Sequence, residues 1–230
     1  MGSFRGTAVR IAAGWLLAIA QVTGALSAVA LMPALALALE TDPQVSQAER
    51  TLRSAELRTK PDPTALELYR KASTEAESAL SRNPDSAGAN FVYFAATGRV
   101  LLADGVAKNL LALRALDRKY LDRALSLDPR YPNALAAKGG VLLDLPTLIG
   151  GDPAAGLKLL ERAIALNPGG PGTRVSLARA LARNGDVDEA RRQVRRAAHL
   201  ACIQGRRKVL DEALALIDQI DPEFAKASGP

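Results

Sequence analysis

The stretch LLDLPTLIGGDPAAGLKLLERAIALNP, residues 142–168, decides the fold. Asp152 followed by Pro153 is a strong helix start, because the carboxylate accepts free backbone N–H groups and proline fits the first helical position. The helix is predicted to stop at Asn167-Pro168. Between these points apolar residues recur mainly at three- and four-residue steps, so one face is suited to burial and needs a neighbouring helix.

The composition favours helices along the whole chain. Ala and Leu dominate, and aromatic residues make up only 4% of the sequence, which argues against a sheet of β-branched residues. The single cysteine, Cys202, allows no internal disulfide, so packing alone must hold the fold together. We therefore predict an all-α protein.

The first 38 residues are typical of a targeting segment. Arg5 and Arg10 precede an uncharged, apolar run from Ile11 to Leu39 that ends in Ala-x-Ala sites. This pattern predicts a secretory signal peptide over residues 1–38. An uncleaved anchor is the alternative, since the run exceeds the roughly 20 residues that span a bilayer. The expected location is periplasmic after export, with inner-membrane anchoring by residues 11–39 as the alternative.

Helix ends recur along the chain with the same internal spacing. In three places a set of small or apolar positions spaced four and three residues apart is followed, five residues later, by proline. A fourth set keeps the spacing but ends at Cys202. Such self-similarity predicts stacked helical repeats. The sets are Ala72, Ala76, Ala79 and Pro84; Asp117, Leu121, Ala124 and Pro129; Gly156, Leu160, Ala163 and Pro168; and Ala190, Val194 and Ala197.

These intervals resemble the tetratricopeptide repeat, whose second helix carries Ala, a bulky apolar residue and a closing Pro. The best match is residues 171–201, with helices predicted over 172–183 and 187–200. Between them, Gly185 suits a left-handed helix exit, and Asp186 with Glu189 predicts a capping box. The resemblance implies a right-handed superhelix of antiparallel helix pairs over residues 39–220. It includes a capping helix after Asp211, and residues 221–230 are expected to be a disordered tail.

Two insertions depart from the ideal 34-residue repeat. The first, around residues 103–115, is rich in Ala and Leu and is predicted to lengthen helices. The second is LPTLI before Gly-Gly-Asp. With it the chain resembles exported repeat proteins such as the T component of tripartite periplasmic transporters, which is thought to assist a substrate-binding component. The residues that match this element are Leu145, Pro146, Gly150, Gly151 and Asp152.

No catalytic or metal-binding set stands out in the sequence. His199 and Cys202 lie three residues apart, but each is the only residue of its kind. A zinc site would need further ligands, and a thiolate nucleophile would need a further orienting partner. We therefore predict no enzyme activity, no cofactor and no metal, with Cys202 packed as a small hydrophobe at a repeat joint.

The resemblance also implies a concave groove, lined by the first helix of each pair, that takes a protein partner. The leading hypothesis is a non-catalytic scaffold of the bacterial envelope. A transport accessory that handles a small anionic ligand or docks on a substrate-binding protein is the alternative. Two arginines one turn apart in the groove could hold a carboxylate. The groove residues are expected to be Phe91, Val92, Arg99, Asn133, Asp144, Arg179 and Arg183.

Arginines also cluster on the last predicted pair. Arg191, Arg192, Arg195 and Arg196 recur at four-residue steps and must share a helix face. No aromatic residue adjoins them and an exported protein rarely meets nucleic acid, so no nucleic-acid partner is expected. An anionic membrane surface or an acidic partner is the functional interpretation, and a solvated face is the structural one. Homo-oligomerisation is left open.

Overall fold

The computed structural model describes residues 42–58 and 63–220, so the predicted targeting segment and tail lie outside the described residues. From Gln44 onward the described residues form one compact unit. Every regular element within the described ranges is helical. The elements are α1 Pro43–Glu56, α2 Pro63–Arg82, α3 Ala87–Ala103, α4 Val106–Leu116, a π-helical turn Asp117–Leu121, α5 Asp122–Leu127, α6 Pro132–Asp144, a 3₁₀ turn Thr147–Ile149, α7 Pro153–Leu166, α8 Pro171–Arg183, α9 Val187–Ile203 and α10 Arg207–Ile220.

Successive helices pack as antiparallel pairs. The first helices of the pairs are α1, α3, α6 and α8, and the second helices are α2, α4–α5, α7 and α9. Neighbours along the chain pack on each other, as α6 does on α7, α8 on α9 and α9 on α10. This is the all-α solenoid that the repeats predicted. None of the described helices is both long and apolar enough to cross a bilayer.

The repeated positions form the core. Their small side chains are removed from solvent and let neighbouring helices approach closely. In α2, Ala72, Ala76 and Ala79 are fully buried and pack with residues of α1 and α3. The later repeats bury the corresponding positions, which are Leu121, Ala124, Leu160, Ala163, Ala190, Val194 and Ala197.

Two glycines mark the closest contact between α6 and α7. A Cβ added to Gly139 would lie 2.9 Å from the backbone oxygen of Gly156 and 2.9 Å from Cγ of Leu160. A Cβ on Gly156 would in turn meet the backbone oxygen of Gly139 at 2.9 Å. The two backbones therefore touch at a point that admits no side chain.

The first insertion lengthens the second helix of its pair, as predicted. The helix runs from Val106 to Leu127 and includes the single π-helical turn Asp117–Leu121. A π-helical turn accommodates an extra residue within a continuous helix. The inserted residues therefore lengthen the helix and do not form a loop.

A buried ion cluster joins the two insertions. Asp117 is fully buried and pairs with Arg114 and with Lys138 of α6, whose Nζ donates to Oδ1 at 2.8 Å. Lys138 also pairs with half-exposed Asp122 at 2.7 Å. Arg114 lies against Gly150 of the second insertion, because a Cβ there would be 2.5 Å from its Nη2. Gly150 also has a positive φ of 99°, so this position favours glycine for two reasons.

The second insertion is a well-bonded turn between α6 and α7. The N–H of Gly151 donates to the carbonyl of Pro146 at 3.0 Å, and the N–H of Asp152 donates to the carbonyl of Leu142 at 3.0 Å. A Cβ on Gly151 would overlap the carbonyl oxygen of Leu145 at 1.8 Å. The Asp152 carboxylate accepts the N–H of Ala155 at 3.0 Å, which confirms the predicted helix cap.

The turn between α8 and α9 confirms one prediction and corrects another. Gly185 has the predicted left-handed conformation, with φ of 89°. The capping box was wrong, because Asp186 makes no side-chain cap bond and accepts from Nδ2 of Asn184 at 3.2 Å. Glu189 instead accepts from Arg192 and Gln193 on its own helix, each at 2.7 Å. Two boundaries also shift, since α9 continues to Ile203 and α10 begins at Arg207.

We expect Gly139→Ala to destabilise the fold by about 1–3 kcal/mol, because the added methyl group meets backbone that cannot move aside alone. Gly140→Ala is the matched control, since a Cβ there meets nothing within 4 Å. It should be neutral or stabilising by up to about 1 kcal/mol, from helix propensity. Urea unfolding monitored by circular dichroism measures both, and equal effects would contradict the close contact.

We expect Asp117→Asn to cost about 3 kcal/mol, because it leaves Arg114 and Lys138 charged and largely buried without their shared carboxylate. Asp122→Asn removes an exposed partner of the same lysine and should cost less than about 1 kcal/mol. Urea unfolding of both variants at neutral pH distinguishes these values. A loss for Asp117→Asn no larger than for Asp122→Asn would show that the cluster does not stabilise the insertion.

Candidate partner-binding surface

The outward faces of α6 and α8 lie side by side in register. Positions 133, 137, 140 and 144 of α6 recur in α8 exactly one 39-residue repeat later, at 172, 176, 179 and 183. The last pair is in direct contact, because Nη1 of Arg183 donates to Oδ1 of Asp144 at 3.2 Å. Two of the predicted groove residues are therefore partners across neighbouring first helices. We call these eight positions the α6–α8 face.

Glycine leaves backbone open on this face. A Cβ added to Gly140 or to Gly172 would meet no atom within 4 Å. These two glycines therefore differ from Gly139, which faces α7 one residue away. An open backbone allows another chain to approach main-chain atoms closely.

The charged groups of the α6–α8 face are exposed. Arg179 and Asn133 are exposed, and the side chains of Arg183 and Asp144 keep 58% and 73% of their accessible surface. An ion pair this exposed contributes little to stability. The pair can therefore open at small cost to meet a partner.

On α3 the groove prediction is wrong for one residue. Val92 is fully buried and packs with Ala48 and Leu52 of α1. The reason is that α1, the first helix of the preceding pair, covers this part of α3. Phe91 is half-buried, with its ring 5.1 Å from that of Tyr131, whereas Arg99 is exposed as expected.

Contacts of α1 with later parts of the chain were not foreseen. The hydroxyl of Tyr131 lies 3.4 Å from Oε1 of Glu49. Burial is the main cause that raises the pKa of Tyr131, and this carboxylate raises it further. Nη2 of Arg206, just before α10, lies 3.9 Å from Oε2 of Glu56. The first and last described helices therefore approach each other. These partners are far apart in sequence, so no local pattern indicates them.

A buried tyrosine lies near this approach. The hydroxyl of Tyr69 is buried and makes no hydrogen bond within the described part of the chain. Burial is the main cause that raises the pKa of Tyr69, Arg99 opposes it, and Glu56 and Glu212 add to it. Charged side chains of α1, α3 and α10 thus all influence the pKa of one hydroxyl of α2.

The four-arginine face of α9 is partly neutralised. Arg191 pairs with Asp188 at 2.8 Å, and Arg192 pairs with Glu189 on the preceding turn. Arg195 and Arg196 are exposed. These acidic partners, Asp188 and Glu189, belong to the first turn of α9.

The family-like turn holds one side chain far into solvent. Leu148 is 98% exposed and Ile149 is 36% exposed, while Leu145 is half-buried. Pro146 and Gly150 fix the backbone on either side, and Asp152 is engaged as a helix cap. The cap bond supports a structural role for Asp152.

His199 and Cys202 are both exposed on α9. The prediction that Cys202 is packed at a repeat joint was therefore wrong. Its position in the last turn of the lengthened α9 carries it past the packed stripe, which ends at Ala201. Within the described residues, no three His, Cys, Asp or Glu side chains are grouped to hold a metal ion.

Comparisons with known proteins give one family match and several distant structural likenesses. Residues 148–201 match the family model of the tetratricopeptide repeat. No curated protein matches the chain. Among solved structures, a thermophilic TPR protein of Thermus thermophilus, TTC0263, is 21% identical, with a TM-score of 0.45 over 78% of this chain and 94% of that one.

Two further solved structures are similar, with lower sequence identities and TM-scores. MamA is 16% identical, with a TM-score of 0.41 over 70% of this chain and 92% of that one. YrrB, described as a TPR protein with an unusual peptide-binding site, is 18% identical, with a TM-score of 0.39 over 76% of this chain and 93% of that one. Nothing about the partner of the present chain follows from these distant likenesses. The chain therefore carries tetratricopeptide repeat sequence, matched over residues 148–201, in an all-α stack of antiparallel helix pairs.

Proposed function

We propose that this protein is a non-catalytic scaffold that binds a protein partner on the α6–α8 face. The observation that carries the proposal is the register of the two helices, which aligns exposed polar groups and open glycine backbone on neighbouring elements. Tetratricopeptide repeats are a general protein-interaction module, and the matched repeat includes α8. The bacterial envelope as its location rests on the sequence of residues 1–38.

The chemistry of the face favours a partner with acidic groups and an accessible main chain. Arg179 and Arg183 project from α8 one turn apart and offer guanidinium groups that bind carboxylates or carbonyls. Asn133 can both donate and accept hydrogen bonds. Gly140 and Gly172 leave room for a segment to lie against the helices.

A transport accessory that handles a small anionic ligand is the second candidate. The two exposed arginines of α8 favour it, because a dicarboxylate could bridge them. The turn from Leu145 to Asp152 resembles that of transporter-associated proteins, and this resemblance also favours the transport accessory. The scaffold is preferred because the α6–α8 face extends over two helices, whereas a small anion would use only the two arginines of α8.

A photo-crosslinking amino acid at position 179 tests the scaffold. We expect it to form a specific protein adduct in cells of the source organism, and we expect Arg183→Glu in the same chain to abolish that adduct. Position 158 is the matched control, since Lys158 is exposed on the second helix α7. Adducts of equal yield and identity at 158 and 179 would contradict binding on the α6–α8 face.

Titration calorimetry separates the two candidates. The scaffold predicts no saturable heat with small dicarboxylates such as succinate, because such a ligand reaches only the two exposed arginines of α8 and leaves the rest of the α6–α8 face unused. Saturable binding that is lost in Arg179→Gln but retained in Lys158→Gln would favour the transport accessory instead.

A further inference from the structure

A cleft opens between two second helices of the stack, α2 and α5. Its volume is about 470 Å³, which falls within the roughly 300–1,000 Å³ that ligand pockets occupy. The walls come from α2 and the turn that follows it, from α3, and from the π-helical turn that leads into α5. The cleft shares no residue with the α6–α8 face, which belongs to first helices.

Two tyrosine rings form much of the apolar lining of the cleft. The ring centroids of Tyr93 on α3 and Tyr120 in the π-helical turn lie 4.4 Å apart, with an interplanar angle of 46°. Leu80 of α2 adds an aliphatic side chain to the lining. The π-helical turn buries Asp117 and, three residues later, places Tyr120 against Tyr93. Turns of this kind are frequent at functional sites.

The hydroxyl groups of the two tyrosines are engaged within the protein. Side-chain hydrogen bonds link Tyr93 to Tyr120 and to Thr97, and Oγ1 of Thr97 lies 2.7 Å from Oγ of Ser73. Burial is the main cause that raises the pKa of Tyr93, and Tyr120 and Glu77 raise it further. The pair therefore offers ring surface to a ligand.

Asn90 of α3 supplies one fixed polar group. It is 3% exposed and belongs to the lining of the cleft. Its Nδ2 donates to the carbonyls of Pro84 and Ser86, each at 2.9 Å. Because both amide protons are used, the group left for a ligand is the carbonyl oxygen Oδ1, which accepts a hydrogen bond. A ligand that uses Asn90 has to bring a donor.

The charges around the cleft are balanced. Glu77 and Asp85 line it together with Lys119 and Arg123, and all four are exposed. Arg123 pairs with Asp85, and Nζ of Lys119 lies 4.9 Å from the centre of the Tyr120 ring. Such a rim does not favour an ion of either sign. Selectivity therefore rests on the ring surface and the buried acceptor.

We infer that the cleft binds an exposed tryptophan or tyrosine side chain of a partner protein. Aromatic rings prefer offset or edge-to-face contacts, which the tilted pair of Tyr93 and Tyr120 offers. An indole N–H or a phenol O–H can donate to Oδ1 of Asn90. The exposed rim leaves a ligand open to solvent, which suits a side chain attached to a larger partner. Aromatic anchors seated in pockets carry much of the binding energy of protein interfaces.

The four tyrosines of the chain provide the readout. The full chain is labelled with carbon-13 on its tyrosine rings, and the signals of the cleft are assigned from Tyr93→Phe and Tyr120→Phe. The probe is a blocked peptide with one tryptophan between glycines, at millimolar concentration. We expect saturable shifts at Tyr93 and Tyr120 and none at Tyr69 and Tyr131. The matching peptide with 1-methyltryptophan lacks the donor and should bind several-fold more weakly.

Two variants test the role of the rings. Tyr120→Leu should abolish the shift at Tyr93, because it removes one ring and keeps an apolar side chain. Lys119→Gln is the matched control, since it changes the charge of the rim and leaves both rings in place, and it should retain the shift. Circular dichroism melting shows whether both variants are folded, and the peptide series in the unmodified chain decides the question if Tyr120→Leu is not.

The inference is overturned if the tryptophan peptide shifts neither Tyr93 nor Tyr120, or if a leucine peptide shifts both as strongly. Loss of the response in Lys119→Gln, with retention in Tyr120→Leu, would also overturn it. A stronger response to an arginine peptide than to the tryptophan peptide would assign the cleft to a basic partner and contradict the inference as well.

Discussion

Close approach of helix backbones is the constraint on which the rest of this structure depends. Small residues at the repeated positions bring second helices against first helices, and at one such contact Gly139 meets Gly156. Because that contact admits no side chain, it fixes which face of α6 turns inward. The neighbouring Gly140 then faces outward, and the same register one repeat later exposes Arg179 and Arg183. The candidate surface therefore follows from the packing of α6 against α7.

The two insertions are linked through a buried ion cluster centred on Asp117. Asp117 is reached by Arg114 from one insertion and by Lys138 from the following first helix. Burying a charge in this way is costly unless every partner is present, so loss of one partner is expected to destabilise this part of the stack. Arg114 then packs on Gly150 and holds the second turn in place. The turn between α6 and α7 is therefore held in place, and Leu148 stays exposed on it.

Local signals made much of the fold predictable. The sequence correctly predicted the cap at Asp152, the left-handed Gly185 and the buried small residues of the repeats. Each of these features depends on immediate neighbours in the chain. The capping box at Asp186 failed because Asn184, Arg192 and Gln193 compete for the same carboxylates. The prediction that Val92 lines the groove failed because its burial depends on α1, a helix outside its own pair.

The contact between Gly139 and Gly156 tests the account most directly, since the register of the α6–α8 face follows from it. Nuclear Overhauser effects between the α protons of these glycines measure the approach in solution. The account predicts a clear cross-peak between them, with none linking Gly140 to α7. A cross-peak from Gly140 to Gly156, or no contact between the two helices at Gly139, would place a different face outward and contradict the proposed surface.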